Sequence, residues 1–204
     1  MARDLLDQRR PAKRRLYWTN AHALARYAAL CQEAGIVPIV EPEVLQDGTH
    51  TIERSFHVTS RVLAAVYVEL FDQRVDVEGT LLKPNMVLSG YEAADRAGSD
   101  EVAERTLACL YKHVPAAVPG MVFLSGGQSD EDATANLNAM NVRGPHPWQL
   151  SFSFGRALQA PVLSAWRGKP ANVEAAQRAY YHRARMNGAA RSGAYTAELE
   201  RTGS

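Results

Sequence analysis

Four times along this chain a short apolar run stops at polar residues, and a helical pattern follows each stop. The runs are 36–40, 79–82, 118–124 and 150–154. The stops are Glu41 with Glu43, then Lys83, then Ser125-Gly126-Gly127, then Gly155-Arg156. Strands that alternate with helices predict an α/β fold, a parallel sheet covered by helices. The stops lie 42, 42 and 30 residues apart, from Glu41 to Lys83 to Ser125 to Gly155. A (β/α)8 barrel uses roughly 31 residues per unit, so the spacing is compatible with barrel units. Only four such strands are read here, half of what a closed barrel needs.

The helices follow from periodicity and caps. Asn20 caps a helix running to about Ala34, with Leu24, Tyr27, Ala28 and Cys31 at helical spacing and Gly35 as its stop. A second runs from about Ile52 to Phe71. Asp100 and Glu101 occupy the first turn of a third, where the helix dipole favours them. Ser129 caps a fourth, and two more cover about 157–166 and 173–186. Pro38 counts against the first strand, because proline removes a ladder donor. The chain thus divides into a basic segment, 1–19, a domain, 20–191, and a tail without a core pattern, 192–204. Arg9, Arg10, Lys13, Arg14 and Arg15 cluster in the first segment, which reads as a solvated, loose terminus. The tail reads as flexible.

The strand ends carry the chemistry. Pro84 should break the ladder just after Lys83. A lysine beside Thr80-Leu81-Leu82 is expected to be desolvated, which lowers its pKa and frees its amine to form a Schiff base with a carbonyl. Making that imine requires proton transfers that a carboxylic acid can shuttle. Glu41 suits this role if it is partly buried, with Glu43 as the neighbouring like charge. Ser125-Gly126-Gly127 leaves a bare backbone loop whose amides can cradle an anion. Gly155-Arg156, with Ser153 just before, opens a helix whose free amides and guanidinium favour a phosphate. Together these groups suit a phosphorylated carbonyl compound.

Four segments also resemble one family, in the family's own order. They are Val37-Pro-Ile-Val-Glu-Pro-Glu43, Leu81-Leu-Lys-Pro-Asn-Met86, Phe123-Leu-Ser-Gly-Gly-Gln128 and Ser151-Phe-Ser-Phe-Gly-Arg-Ala157. They look like segments of the class I, Schiff-base fructose-bisphosphate aldolases, and the resemblance runs from about Asn20 to about Asn187. It implies that the four strands are strands five to eight of a TIM barrel with helices outside. It also implies a glycolytic lyase that cleaves fructose 1,6-bisphosphate to dihydroxyacetone phosphate and glyceraldehyde 3-phosphate through Lys83, with no metal and no cofactor. The family's strand-one aspartate, its further lysines and arginine on strands three and four, and its terminal tyrosine have no counterpart in this chain. Cleavage is therefore expected to be weak. The alternative is a non-catalytic remnant or a triose-phosphate-binding module.

The remaining features exclude other classes. A net charge of +1 gives no pull toward nucleic acid or a membrane surface, and no run is long and apolar enough to span a bilayer. The six histidines show no metal-ligand spacing. Cys31 and Cys109 read as reduced thiols of a cytoplasmic protein. Four strands leave two open edges, so self-association or a homo-oligomer is expected.

Overall fold

The computed structural model describes residues 11–201, and the side chains from Leu16 onward. Helix α1 (Pro11–Glu33) leads into β1 (Ile39–Val40), α2 (Ile52–Asp72), β2 (Leu81–Leu82), α3 (Ser99–His113) and β3 (Gly120–Phe123). Then come α4 (Asp130–Val142), β4 (Gln149–Phe152), α5 (Arg156–Trp166), α6 (Val173–Arg191) and α7 (Ala197–Arg201). The four strands form one parallel sheet in the order β1-β2-β3-β4. Consecutive parallel strands joined by right-handed crossovers carry their helices on one face. The helix contacts follow suit: α1 packs on α2, α2 on α3, α3 on α4, and α6 on both α4 and α5.

Register divides the sheet into two faces. Val40, Leu82, Met121 and Leu150 stand side by side across all four strands, and all four are buried. This row meets the helices. Ile39, one residue out of phase, is 40% exposed, and Gln149 is exposed too. Side chains alternate faces along a strand, so Glu41 and Lys83 continue the phase of Ile39 and Leu81 and point away from the helices. One face is therefore core, and the other carries the polar strand ends.

The structure redraws several of the sequence boundaries. Helix α1 is described from Pro11 onward, so residues 11–19 are helical instead of forming a loose terminus. Residues 1–10, with Arg9 and Arg10, lie outside the described residues. The buried stripe of α1 is alanine, at Ala21, Ala25 and Ala28, while Tyr27 and Leu30 face outward. Small side chains let α1 lie close on α2, an option that a search for large apolar residues passes over.

The strand expected over 79–82 is shorter. Asp76 accepts from the Glu78 amide and starts a 3-10 turn over Val77–Gly79, leaving two ladder residues. The run 36–40 is cut back too: only Ile39–Val40 form β1, and Pro38 sits just before it, offering its carbonyl to the Leu81 amide.

The tail differs most from its sequence pattern. Residues 192–201 turn back and end in α7, where Glu200 meets Arg183 of α6. Among the described residues no helix is long and apolar enough to cross a membrane.

Candidate active site

Lys83 is set by the ladder. Its amide donates to Val40 O at 2.8 Å, and Pro84 O accepts from the Leu124 amide at 3.1 Å. Strand pairing thus holds the residue on both sides. Its ammonium lies 2.8 Å from Glu41 Oε1. Glu41 is 45% exposed in its side chain and Glu43 is exposed as well, so the partly buried carboxylate expected from sequence is not found. Glu41 has instead a direct ion pair with the amine. An amine and a carboxylate at this distance can pass a proton between them without a water.

The loop that carries the two carboxylates is anchored by residues that sequence reasoning missed. Asn85 is buried; its Oδ1 accepts from the Val44 amide at 3.0 Å, and its Nδ2 donates to Met86 O and Thr59 Oγ1. Gln46, also buried, donates to Val44 O and Met86 O. The segment after Glu43 is therefore tied to the segment after Lys83. A signal was present: Asn85 interrupts the apolar run from Leu81 to Leu88, and a buried amide needs partners.

The second half of the site lies at the ends of β3 and β4. Ser125 is buried, and its carbonyl accepts from both the amide and the Nε2 of Gln128, each at 3.0 Å. Gln128 is held in turn by Asn136 at 2.7 Å. Gly126 and Gly127 adopt φ of 61° and 97°, a region that L side chains avoid. A Cβ on Gly127 would also stand 3.3 Å from Arg156 Nη2 and 3.4 Å from Tyr91 Cε2. The bare loop thus lies directly under the Arg156 guanidinium. Neither glycine amide finds an acceptor among the described residues. Ser153 is placed by its amide, which donates to Phe123 O at 2.9 Å. Gly155 is the residue before α5, and Arg156 is its first.

Lys83 and Glu41 are thus brought together, as are Gly127 and Arg156, on neighbouring strand ends. Glu43 makes no ion pair among the described residues. A separate cavity of about 650 Å3 opens between α1, the 41–50 loop and α2. Glu41 and Glu43 lie on its wall, while Lys83, Ser125 and Arg156 do not. Among the described residues no three His, Cys, Asp or Glu converge as metal ligands would.

Polar groups gathered past the carboxyl ends of parallel strands are where enzymes of the α/β class keep their sites. Comparison with known proteins makes this particular. The family model "Fructose-bisphosphate aldolase class-I" matches residues 6–204, a wider span than the four motifs cover. A fructose-bisphosphate aldolase of Dictyostelium discoideum is 58% identical over 185 residues, 91% of this chain and 52% of that protein. Fructose-bisphosphate aldolase 4, cytosolic, of Arabidopsis thaliana is 54% identical over 182 residues, 89% of this chain and 46% of that one. A solved fructose-bisphosphate aldolase of Plasmodium falciparum, in a complex with TRAP and a small-molecule inhibitor, superposes with a TM-score of 0.87 at 50% identity. That match covers 89% of this chain and 52% of the other. The chain belongs to the class I fructose-bisphosphate aldolase family, and it spans about half the length of the curated relatives it matches.

Proposed function

We propose that this chain carries the carbonyl-activating half of a class I aldolase site. It acts on fructose 1,6-bisphosphate or dihydroxyacetone phosphate through a Schiff base at Lys83. The observation that carries the reading is the 2.8 Å pair between Lys83 and Glu41 at the end of β2. Lys83 gives its proton to Glu41, and the free amine attacks the ketone carbon. The carbinolamine oxygen takes one proton from the newly bonded nitrogen and one back from Glu41 and leaves as water, and the nitrogen lone pair completes the protonated imine. That imine accepts the electron pair of the carbon–carbon bond when the sugar is cleaved: the C4 hydroxyl gives its proton to water and becomes the aldehyde of free glyceraldehyde 3-phosphate, and the lysine keeps dihydroxyacetone phosphate as its enamine. Glu43 holds the second charge beside this relay.

The substrate phosphate lies against the amides of Gly126 and Gly127, with Ser125 and Ser153 at its sides. Gly155 and Arg156 close it at the start of α5, where dipole and guanidinium act together. The test is borohydride reduction in the presence of dihydroxyacetone phosphate, with mass mapping of the adduct. A triose phosphate on Lys83 is the expected result. A folded chain that binds the ligand saturably but stays unmodified would make it a binding module instead.

Arg156→Ala is expected to weaken dihydroxyacetone phosphate binding roughly ten- to hundredfold, since a charged hydrogen bond is worth about 1.5–3 kcal/mol. Titration calorimetry reads this directly, and equal affinity for parent and variant would remove Arg156 from the phosphate site.

The four strands are read as the last four of the family's eight-stranded barrel, on the order of the matched motifs. Among the described residues β1 and β4 have no outer neighbour, and such edges invite pairing. Self-association at micromolar concentration is the expected outcome in light scattering. A compact monomer with a single cooperative melt would overturn it. A cytoplasmic location fits the cytosolic relative.

A further inference from the structure

The peptide between Gly126 and Gly127 is the least self-determined part of the phosphate loop. Both flanking residues are glycines at positive φ, so no side chain restrains this peptide plane from turning over. In a planar trans peptide the carbonyl and the following N–H point in opposite directions. Whatever holds Gly126 O therefore also aims the Gly127 N–H. In this structure the holder is Tyr91, whose hydroxyl donates to Gly126 O at 2.9 Å.

Tyr91 is well placed to do this. Its amide donates to Gln46 O, while the Gly90 amide donates to His50 O and the Glu92 amide to Gly48 O. These bonds dock the 90–92 turn on the loop that follows Glu43. A Cβ at Gly90 would collide with the Gly48 carbonyl, so the docking depends on a glycine there. The Arg96 guanidinium stacks over the phenol ring, 5.5 Å from its centroid. The ring edge and the Arg156 guanidinium both close on Gly127, 3.4 and 3.3 Å from where a Cβ would stand. Burial raises the phenol's pKa, against the lowering pull of Arg156 and then Arg96, so the hydroxyl stays a donor at neutral pH.

We propose that Tyr91 is a positioning residue for the phosphate loop, locking the Gly126–Gly127 peptide with its N–H toward the bound anion and linking that loop to the carboxylate loop. The proposal rests on the phosphate reading of Ser125–Gly127 and Arg156, and it assigns recognition of the phosphate in part to a side chain that does not touch it.

Tyr91→Phe keeps the ring, the Arg96 stack and the packing on Gly127, and removes only the hydroxyl. Binding and borohydride trapping are measured on the whole chain with dihydroxyacetone phosphate and, separately, with unphosphorylated dihydroxyacetone. The expected result is a two- to tenfold loss of affinity for the phosphorylated ketone, the size of one hydrogen bond, with trapping of dihydroxyacetone at Lys83 unchanged. Unchanged discrimination between the two ketones in Tyr91→Phe would overturn the proposal alone. A parallel loss for both ketones would also overturn it, since that is the mark of a general structural role. A parent chain that does not prefer the phosphorylated ketone at all would overturn the phosphate reading, and this proposal with it.

Discussion

Lys83→Ala is expected to abolish the borohydride-trapped adduct completely. The sequence has only four lysines, at 13, 83, 112 and 169, so mapping the adduct is unambiguous. Lys112 lies in the last turn of α3, and Lys169 follows α5; neither faces a carboxylate at the end of a strand. The loss should not come from unfolding. The Lys83–Glu41 pair is partly solvated, with side chains 21% and 45% exposed. Such pairs contribute about 0–1 kcal/mol to stability, so the variant should melt close to the parent. Lys83→Arg sharpens the test. Arginine keeps the charge opposite Glu41 but cannot give up its proton, so it should keep the fold and lose the adduct. An adduct that persists in either variant, or that maps to Lys112 or Lys169, would remove Lys83 from the nucleophile's role.

How far the residues alone disclose this molecule depends on the range of the interactions involved. The four strand positions were legible because buried parallel strands read as apolar runs, and the polar stops marked their carboxyl ends. The start of the second strand was not. Gly79 belongs to a turn nucleated by the Asp76 side chain, a local bond that competes with the ladder. The cap at Ser129 was legible for the opposite reason, since its partner, the Asp132 amide, lies within one turn. The residues that hold the site were missed because their partners are distant in sequence. Asn85 bonds Val44 across 41 positions, and Tyr91 bonds Gly126 across 35. Nothing near Tyr91 distinguishes it from a rim aromatic. The tail was misread on the same ground: Tyr195 and Glu200 carry no apolar period, and the partners that hold them, Asn138 and Arg183, lie on other helices.

Glu200→Ala is expected to destabilise the fold by about 3 kcal/mol, the low end of the cost of breaking a buried pair, since Asp130 still lies 3.6 Å from Arg183 Nε. Arg183 is 2% exposed, and its Nη1 donates to both oxygens of Glu200, at 2.7 and 2.6 Å. Its Nη2 donates to Thr134 Oγ1 and to Asp130 O, in the first turn of α4. Tyr195 and His182 complete the shell around Glu200, at 2.9 and 2.8 Å. Burial pushes the Glu200 carboxyl up, but the hydrogen bonds from Arg183, His182 and Tyr195 outweigh it and leave the pKa below its ordinary 4.5. A carboxyl depressed by folding stabilises fully above that ordinary value and ceases to as the pH falls through the folded one. The parent should therefore lose stability on acidification below about pH 4.5, and Glu200→Ala should remove Glu200's share of that loss. Denaturant titration at pH 7 separates the charge from the packing. Arg183→Met strands Glu200, and Glu200→Ala leaves Arg183 only the longer pair with Asp130 at 3.6 Å, whereas Arg183→Met with Glu200→Leu removes both buried members of the close pair. The double variant should recover most of the stability that either single variant loses, because an apolar replacement of a buried pair is often neutral. Single variants that cost less than about 1 kcal/mol would mean that the 195–201 segment is held by packing alone, and that the tail's tie to the first turn of α4, just beyond the 125–127 loop, is not structural.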